Sequence, residues 1–178
     1  MSQGPSRAGE RGMTLIELAI VIVVLGVLLT LATAAVVRAR LAANEGSAIA
    51  GLRTVNTAQF QYQSTCGNGL YAASAVVLSR VPPGHTQGYL PAELGSGFEP
   101  VRSGYVYSVR IGSGGVAGPA DCGGTPTVTA YVATARPESA GAGTRSFATT
   151  NQGTVWETNG TTPPAQPFGP PARLAGGS

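Results

Sequence analysis

The chain has 178 residues, of which 43% are hydrophobic and 11% charged, with 26 glycines, 13 prolines and a formal net charge of +3. That charge is small, and it is carried by eleven scattered arginines and no lysine, so no basic patch for nucleic acid is expected. Asp121 is the single aspartate and the seven glutamates are dispersed along the chain, so no carboxylate pair and no Ser/His/Asp or Cys/His set is recognisable, and an enzyme is not expected. Asp121 alone offers too few ligands for calcium, and two cysteines with one distant His85 make no metal set. No metal and no cofactor is expected.

From Met13 to Val37 the only charge is Glu17, with Arg7 and Arg11 before the run and Arg38 and Arg40 ending it. About 25 residues of helix span ~37 Å, enough to cross a bilayer core of about 30 Å. An ionised glutamate in hydrocarbon is costly, so Glu17 is a functional candidate. A secretory signal peptide is one reading, with Ala32-Thr33-Ala34 as an A-x-A-like cleavage site. A plain membrane anchor is another. Neither accounts for Gly12 and Glu17 at their spacing.

Arg11 to Gly26 read R-G-M-T-L-I-E-L-A-I-V-I-V-V-L-G. This stretch resembles the N-terminus of type IV prepilins and of type II secretion pseudopilins. In that family a membrane peptidase cuts after the glycine and methylates the new N-terminus. The resemblance therefore implies cleavage between Gly12 and Met13 and N-methylation of Met13. The family's fifth mature residue is a glutamate, here Glu17, and its implied partner is the N-terminal amine of a neighbouring subunit. Pairing would neutralise both charges and set the axial register, whereas either one left alone in a dry fibre core would cost several kcal/mol. Gly26 stands where the family often has glycine and is a second assembly candidate. The chain departs from the family in having Met13 where Phe is usual and Ala34 where proline is frequent.

The resemblance further implies a structural subunit of a type IV pilus filament, serving motility, adhesion or DNA uptake. The type II secretion pseudopilin is the alternative, and a secreted binding domain released after Ala34 is a third reading. The implied partners are copies of the same chain, prepilin peptidase, the inner-membrane assembly platform with its ATPase machinery, and membrane lipid before assembly. The implied location is the inner membrane before assembly, and an extracellular fibre or the periplasm afterwards.

Past Arg40 the helical pattern continues: Leu41, Ala48, Ile49, Leu52, Val55 and Tyr62 recur at helical spacing. Gly46 and Gly51 are expected to soften the helix by about 1 kcal/mol each, and Cys66-Gly67-Asn68-Gly69 to end it. One helix from about Thr14 to Ser64 follows, ~76 Å long. Cys66 and Cys122, an even pair in an exported chain, are expected to form a disulfide tying the helix end to the sheet. A short helix is expected over Ala72–Arg80, then loop to Pro100 with Leu90, Leu94 and Phe98 as anchors and His85 exposed. Tyr105, Tyr107, Val109 and Ile111 alternate with Val106, Ser108 and Arg110 as a first strand. Gly112 to Gly124 reads as a glycine-rich loop without a phosphate-binding signature. Val128, Ala130 and Val132 mark a second strand. Arg145–Thr150 and Thr154–Thr158 form a hairpin about Asn151-Gln152-Gly153, a pattern that looks like the final hairpin of pilin-like proteins. Thr161 to Ser178 holds five prolines and is expected to be an extended or disordered tail.

The expected fold is α+β and pilin-like: a long N-terminal helix, transmembrane in its first half, packed on a roughly four-stranded antiparallel sheet. The expected divisions are a leader (1–12), a membrane or filament-core helix (13–37), its amphipathic continuation (38–64), a globular head (65–160) and the tail (161–178).

Overall fold

A computed structural model describes residues 13–176, without the side chains of 30–34. The chain divides into two compact units, residues 1–39 and 40–178. Helix α1 (Leu15–Thr65) runs through the boundary between them. Its first turn is capped: the Thr14 hydroxyl accepts from the Glu17 backbone N–H at 3.3 Å, and the Thr14 carbonyl accepts from Leu18 N–H at 3.1 Å. Threonine suits this position because its oxygen satisfies one of the four donors that a helix start leaves unpaired.

In the second unit, α1 turns one stripe inward. Ala48, Leu52, Val55, Ala58 and Tyr62 are buried at spacings of three and four, as the sequence pattern requires. Gly51 belongs to that stripe, and a packing contact accounts for it. A methyl group there would lie 2.5 Å from the Tyr107 hydroxyl oxygen, so the bare backbone is the seat of the Tyr107 ring. The helix ends where expected, with Asn68 and Gly69 in left-handed backbone at φ 53° and 84°.

The head is α+β, with more strands than the expected four. A three-stranded sheet has the order β1 (Tyr71–Ala72), β5 (Pro126–Val128), β4 (Ala117–Ala120). A six-stranded antiparallel sheet has the order β2 (Val101–Arg102), β3 (Tyr105–Ile111), β6 (Tyr131–Pro137), β7 (Arg145–Thr150), β8 (Val155–Asn159), β9 (Arg173–Leu174). Two short helices, α2 (Ala75–Ser79) and α3 (Ala92–Gly95), fill the connection before it. The small sheet accounts for two departures from expectation. Tyr71–Ala72 is a strand, so the helix expected from Ala72 starts three residues later at Ala75. The glycine-rich loop contains β4, and the second expected strand is two, β5 and β6, split at Thr129–Ala130. Gln59 anchors this sheet to α1 by imitating a strand: its amide accepts from Ala72 N–H and donates to Ala72 C=O, each at 2.9 Å.

The inner face of the large sheet is tyrosine-rich. Tyr105, Tyr107, Val109, Tyr131, Ala133, Ala135 and Phe147 face the helix stripe. On β6 the odd-numbered residues point inward, opposite to the expected Val128/Ala130/Val132 face. Tyr131 decides this, because its hydroxyl donates to Asn56 on α1 at 2.9 Å. Burial raises the Tyr107 hydroxyl pKa to about 12, with Arg102 opposing. Two expected anchors hold, Leu90 and Leu94, whereas Phe98 is 82% exposed.

The tail departs most from expectation. Described residues 161–176 fold back on the sheet's outer face: Gln166 accepts from Ser113 N–H at 2.8 Å, Phe168 packs on Trp156, and Arg173–Leu174 pair with β8. This cover explains why β7 is buried on both faces, Ser146 and Ala148 as fully as Phe147 and Thr149.

An ion network around two buried carboxylates joins helix, hairpin and tail. Arg145 donates through Nε and one terminal nitrogen to Glu45 on α1, at 2.9 and 2.7 Å, and through the other to Glu157 on β8 at 2.8 Å. Arg173 on β9 completes Glu157 at 3.1 Å. The other Glu45 oxygen accepts from the Thr144 backbone and hydroxyl at 2.9 and 2.7 Å. Burial raises the Glu45 pKa, but the Thr144 and Arg145 hydrogen bonds outweigh it, and the net direction is downward. Removing Arg145 leaves the buried Glu45 charge without a cation, so Arg145→Met should destabilise the chain by about 3 kcal/mol in chemical unfolding, more than Glu45→Gln. Because the folded pKa of Glu45 is depressed, its contribution is present above the unfolded value and lost as pH falls through the folded value. Unfolding free energy should therefore decline as pH falls below about 5, and Glu45→Gln should remove part of that slope.

Candidate functional site

The residues singled out in the sequence fall in two places. Gly12, the expected cleavage residue, lies outside the described residues. Met13 and Glu17 stand at the start of α1, both exposed. Glu17 is the third residue of the first turn, where a negative charge complements the helix dipole, and among the described residues its carboxylate has no partner. Around it α1 is apolar on every side. The large apolar side chains of residues 13–29 are all exposed, from 44% at Val21 to 88% at Leu15. A helix apolar all round belongs inside a membrane or a larger assembly. Gly26 lies on this segment, and a methyl group added there would meet nothing within 4 Å, so among the described residues no contact requires glycine.

The expected membrane-crossing segment includes residues 30–34, whose side chains lie outside those described. Among the described residues no helix is long and apolar enough to cross a membrane.

At the other end of α1, Cys66 and Cys122 form a disulfide with Cα atoms 4.9 Å apart. It joins the helix end to the β4–β5 turn of the small sheet, and Cys122 N–H donates to the Cys66 carbonyl at 3.0 Å. Asp121, weighed above as a calcium ligand, organises this turn. One oxygen accepts from Gly123 and Thr125 N–H at 2.9 and 2.7 Å, and the other from the Tyr62 hydroxyl at 2.8 Å. Burial, and then the carboxylate, push the Tyr62 hydroxyl pKa far upward. Among the described residues no group of three or more His, Cys, Asp or Glu could hold a metal ion.

The outer face of the large sheet carries two neighbouring clefts that the sequence reading missed. One, of about 360 Å³, lies under Pro163–Gln166, where Glu99 receives Arg110 at 3.0 Å and Arg136 at 3.3 Å. The other, of about 370 Å³, lies by Trp156 and Phe168 at the tip of the β7–β8 hairpin. The only hint in the sequence was one tryptophan beside an Asn-Gln-Gly turn, which reads equally well as an ordinary hairpin.

Residues 7–33 match the prokaryotic N-terminal methylation motif. The chain carries a prepilin-type signal. This is the signal of type IV pilins and pseudopilins, and it implies processing by prepilin peptidase and assembly into a pilus or pseudopilus. The match ends at residue 33, so the resemblance of the β7–β8 hairpin rests on its sequence pattern alone. No curated protein and no solved structure matches the chain.

The disulfide closes a loop with a sequence separation of 56, for which the chain-entropy model gives about 4 kcal/mol. Cys66→Ser with Cys122→Ser should lower the unfolding free energy by about that amount, measured by denaturant titration against the oxidised parent.

Proposed function

We propose that the chain is a structural subunit of a type IV pilus filament and not an enzyme. The observation that carries this reading is the start of α1, capped by Thr14 and apolar on every side, with no described residue covering it. Such a surface needs a hydrocarbon environment or copies of itself. The precursor would insert with its leader in the cytoplasm and its apolar helix in the inner membrane, and prepilin peptidase would cleave after Gly12 and methylate Met13. The assembly platform and its ATPase would then draw the mature subunit from lipid into a fibre core of packed helices. There, apolar packing supplies affinity but little register. Glu17, the single charge of the segment, would supply register by meeting the Met13 amine of a neighbour. Gly26 would allow backbones of different subunits to approach closely, as small residues do between membrane helices.

A type II secretion pseudopilin would share this helix. The pilus is favoured because some pseudopilins hold calcium in an acidic loop, whereas the one carboxylate of the Gly112–Gly124 loop has both oxygens engaged by Tyr62, Gly123 and Thr125.

The direct test is mass spectrometry of the mature N-terminus from sheared surface fibres and from membranes. N-methylated Met13 in the fibre fraction is the expected result. The same terminus confined to membranes favours the pseudopilin, and a terminus near Ala35 in the medium overturns the filament reading. Glu17→Ala should abolish surface fibres while cleavage after Gly12 proceeds, and a normal fibre yield from that variant would sink the register argument.

A further inference from the structure

The cleft at the β7–β8 tip has the chemistry of a binding site. Its lining contains no charged side chain, so neither an anion nor a cation has a partner there. Instead it brings together Trp156 and Phe168, with ring centroids 5.6 Å apart and planes inclined by 32°, and three amides, Asn151, Gln152 and Gln166. These come from separate parts of the chain. Trp156 points outward from β8, Asn151 and Gln152 form the hairpin turn, and Gln166 and Phe168 arrive on the returning tail. Gln166 is held by Ser113 N–H at 2.8 Å, which fixes the tail across the cleft. The side-chain amides of Asn151 and Gln152 are exposed and take no partner among the described residues.

We propose that this cleft binds a neutral oligosaccharide. An amide offers two donors and two acceptor lone pairs, which suits the alternating donor and acceptor character of adjacent sugar hydroxyls. An aromatic ring offers a flat apolar surface to the C–H face of a pyranose, and aromatic and polar groups converging in one cleft are the usual composition of a small-molecule site. The volume, about 370 Å³, lies within the range of such sites and holds about one or two sugar rings. A lipid chain or an apolar helix would leave the amides unsatisfied. A nucleic acid would find no cation in this lining. The proposal is independent of the filament reading, which rests on the other end of the chain.

Trp156 is the only tryptophan, so its emission reports on this cleft alone. The full chain, held in a detergent without a sugar headgroup, is titrated with maltotriose, cellotriose and triacetylchitotriose to about 10 mM, a range that detects weak single-site affinity. At least one should shift the emission saturably, and which one responds distinguishes the linkage recognised. Asn151→Ala with Gln152→Ala should raise that Kd at least about tenfold, or about 1.4 kcal/mol. Gln152→Ala alone, at the exposed tip, should do so in the same direction with an unchanged melting temperature. No saturable response to any of the three sugars overturns the proposal, as does a response that both variants leave unaltered.

Discussion

Arg145 holds two buried carboxylates from distant parts of the chain, Glu45 on α1 and Glu157 on β8, and the head is arranged around satisfying all three. Among the described residues Arg145 is the one cation paired with Glu45, and it shares Glu157 with Arg173; an unpaired charge in a packed interior is far costlier than an exposed one. Satisfying Glu45 brings the β6–β7 connection to the helix, through Thr144. Satisfying Glu157 brings in Arg173, and with it the returning tail, as the sixth strand. A single guanidinium thus links the helix, the hairpin and the tail, and its planar set of donors is suited to that geometry in a way a lysine would not be.

The two units of the chain meet opposite demands. The head resolves its polar groups internally: Gln59 substitutes for a neighbouring strand, Asn56 bridges Tyr131 and Thr149, and Asp121 satisfies its own turn and Tyr62. The start of α1 resolves nothing internally and displays apolar side chains on all sides. That contrast fits the filament subunit proposed above, in which the helix would exchange one hydrocarbon environment for another while the head stays folded. A head closed by the Cys66–Cys122 bridge and by the ion network has few ways to loosen when α1 changes surroundings.

The Pro-rich segment turns a one-faced sheet into a covered one. Residues 163–168 lie over this face and line both of its clefts. With them, the same face becomes a relief of two clefts, one lined by charged pairs and the other neutral and aromatic. The relief of the head is therefore shaped by residues 161–176, whereas the prepilin-type signal lies at residues 7–33.

Much of this protein could be read from residues alone. The apolar run, the lone Glu17 and the preceding Gly12 are local in sequence, and their meaning depends on spacing along one helix, which the chain itself determines. The length of α1, the stripe from Ala48 to Tyr62 and the hairpin about Asn151-Gln152-Gly153 were legible for the same reason: each follows from periodicity or from a strong turn; the disulfide was legible because the chain has only two cysteines. What only the tertiary structure decided is whatever depends on residues far apart. Glu45 and Arg145 are separated by 100 positions, and nothing local marks either as buried. Two-residue strands such as Tyr71–Ala72 and Arg173–Leu174 are too short to show alternation and exist because a neighbouring strand or Gln59 offers hydrogen bonds. Proline and glycine read as disorder in residues 161–178 because composition reports the lack of self-packing residues. It cannot report that an uncovered sheet face awaits them.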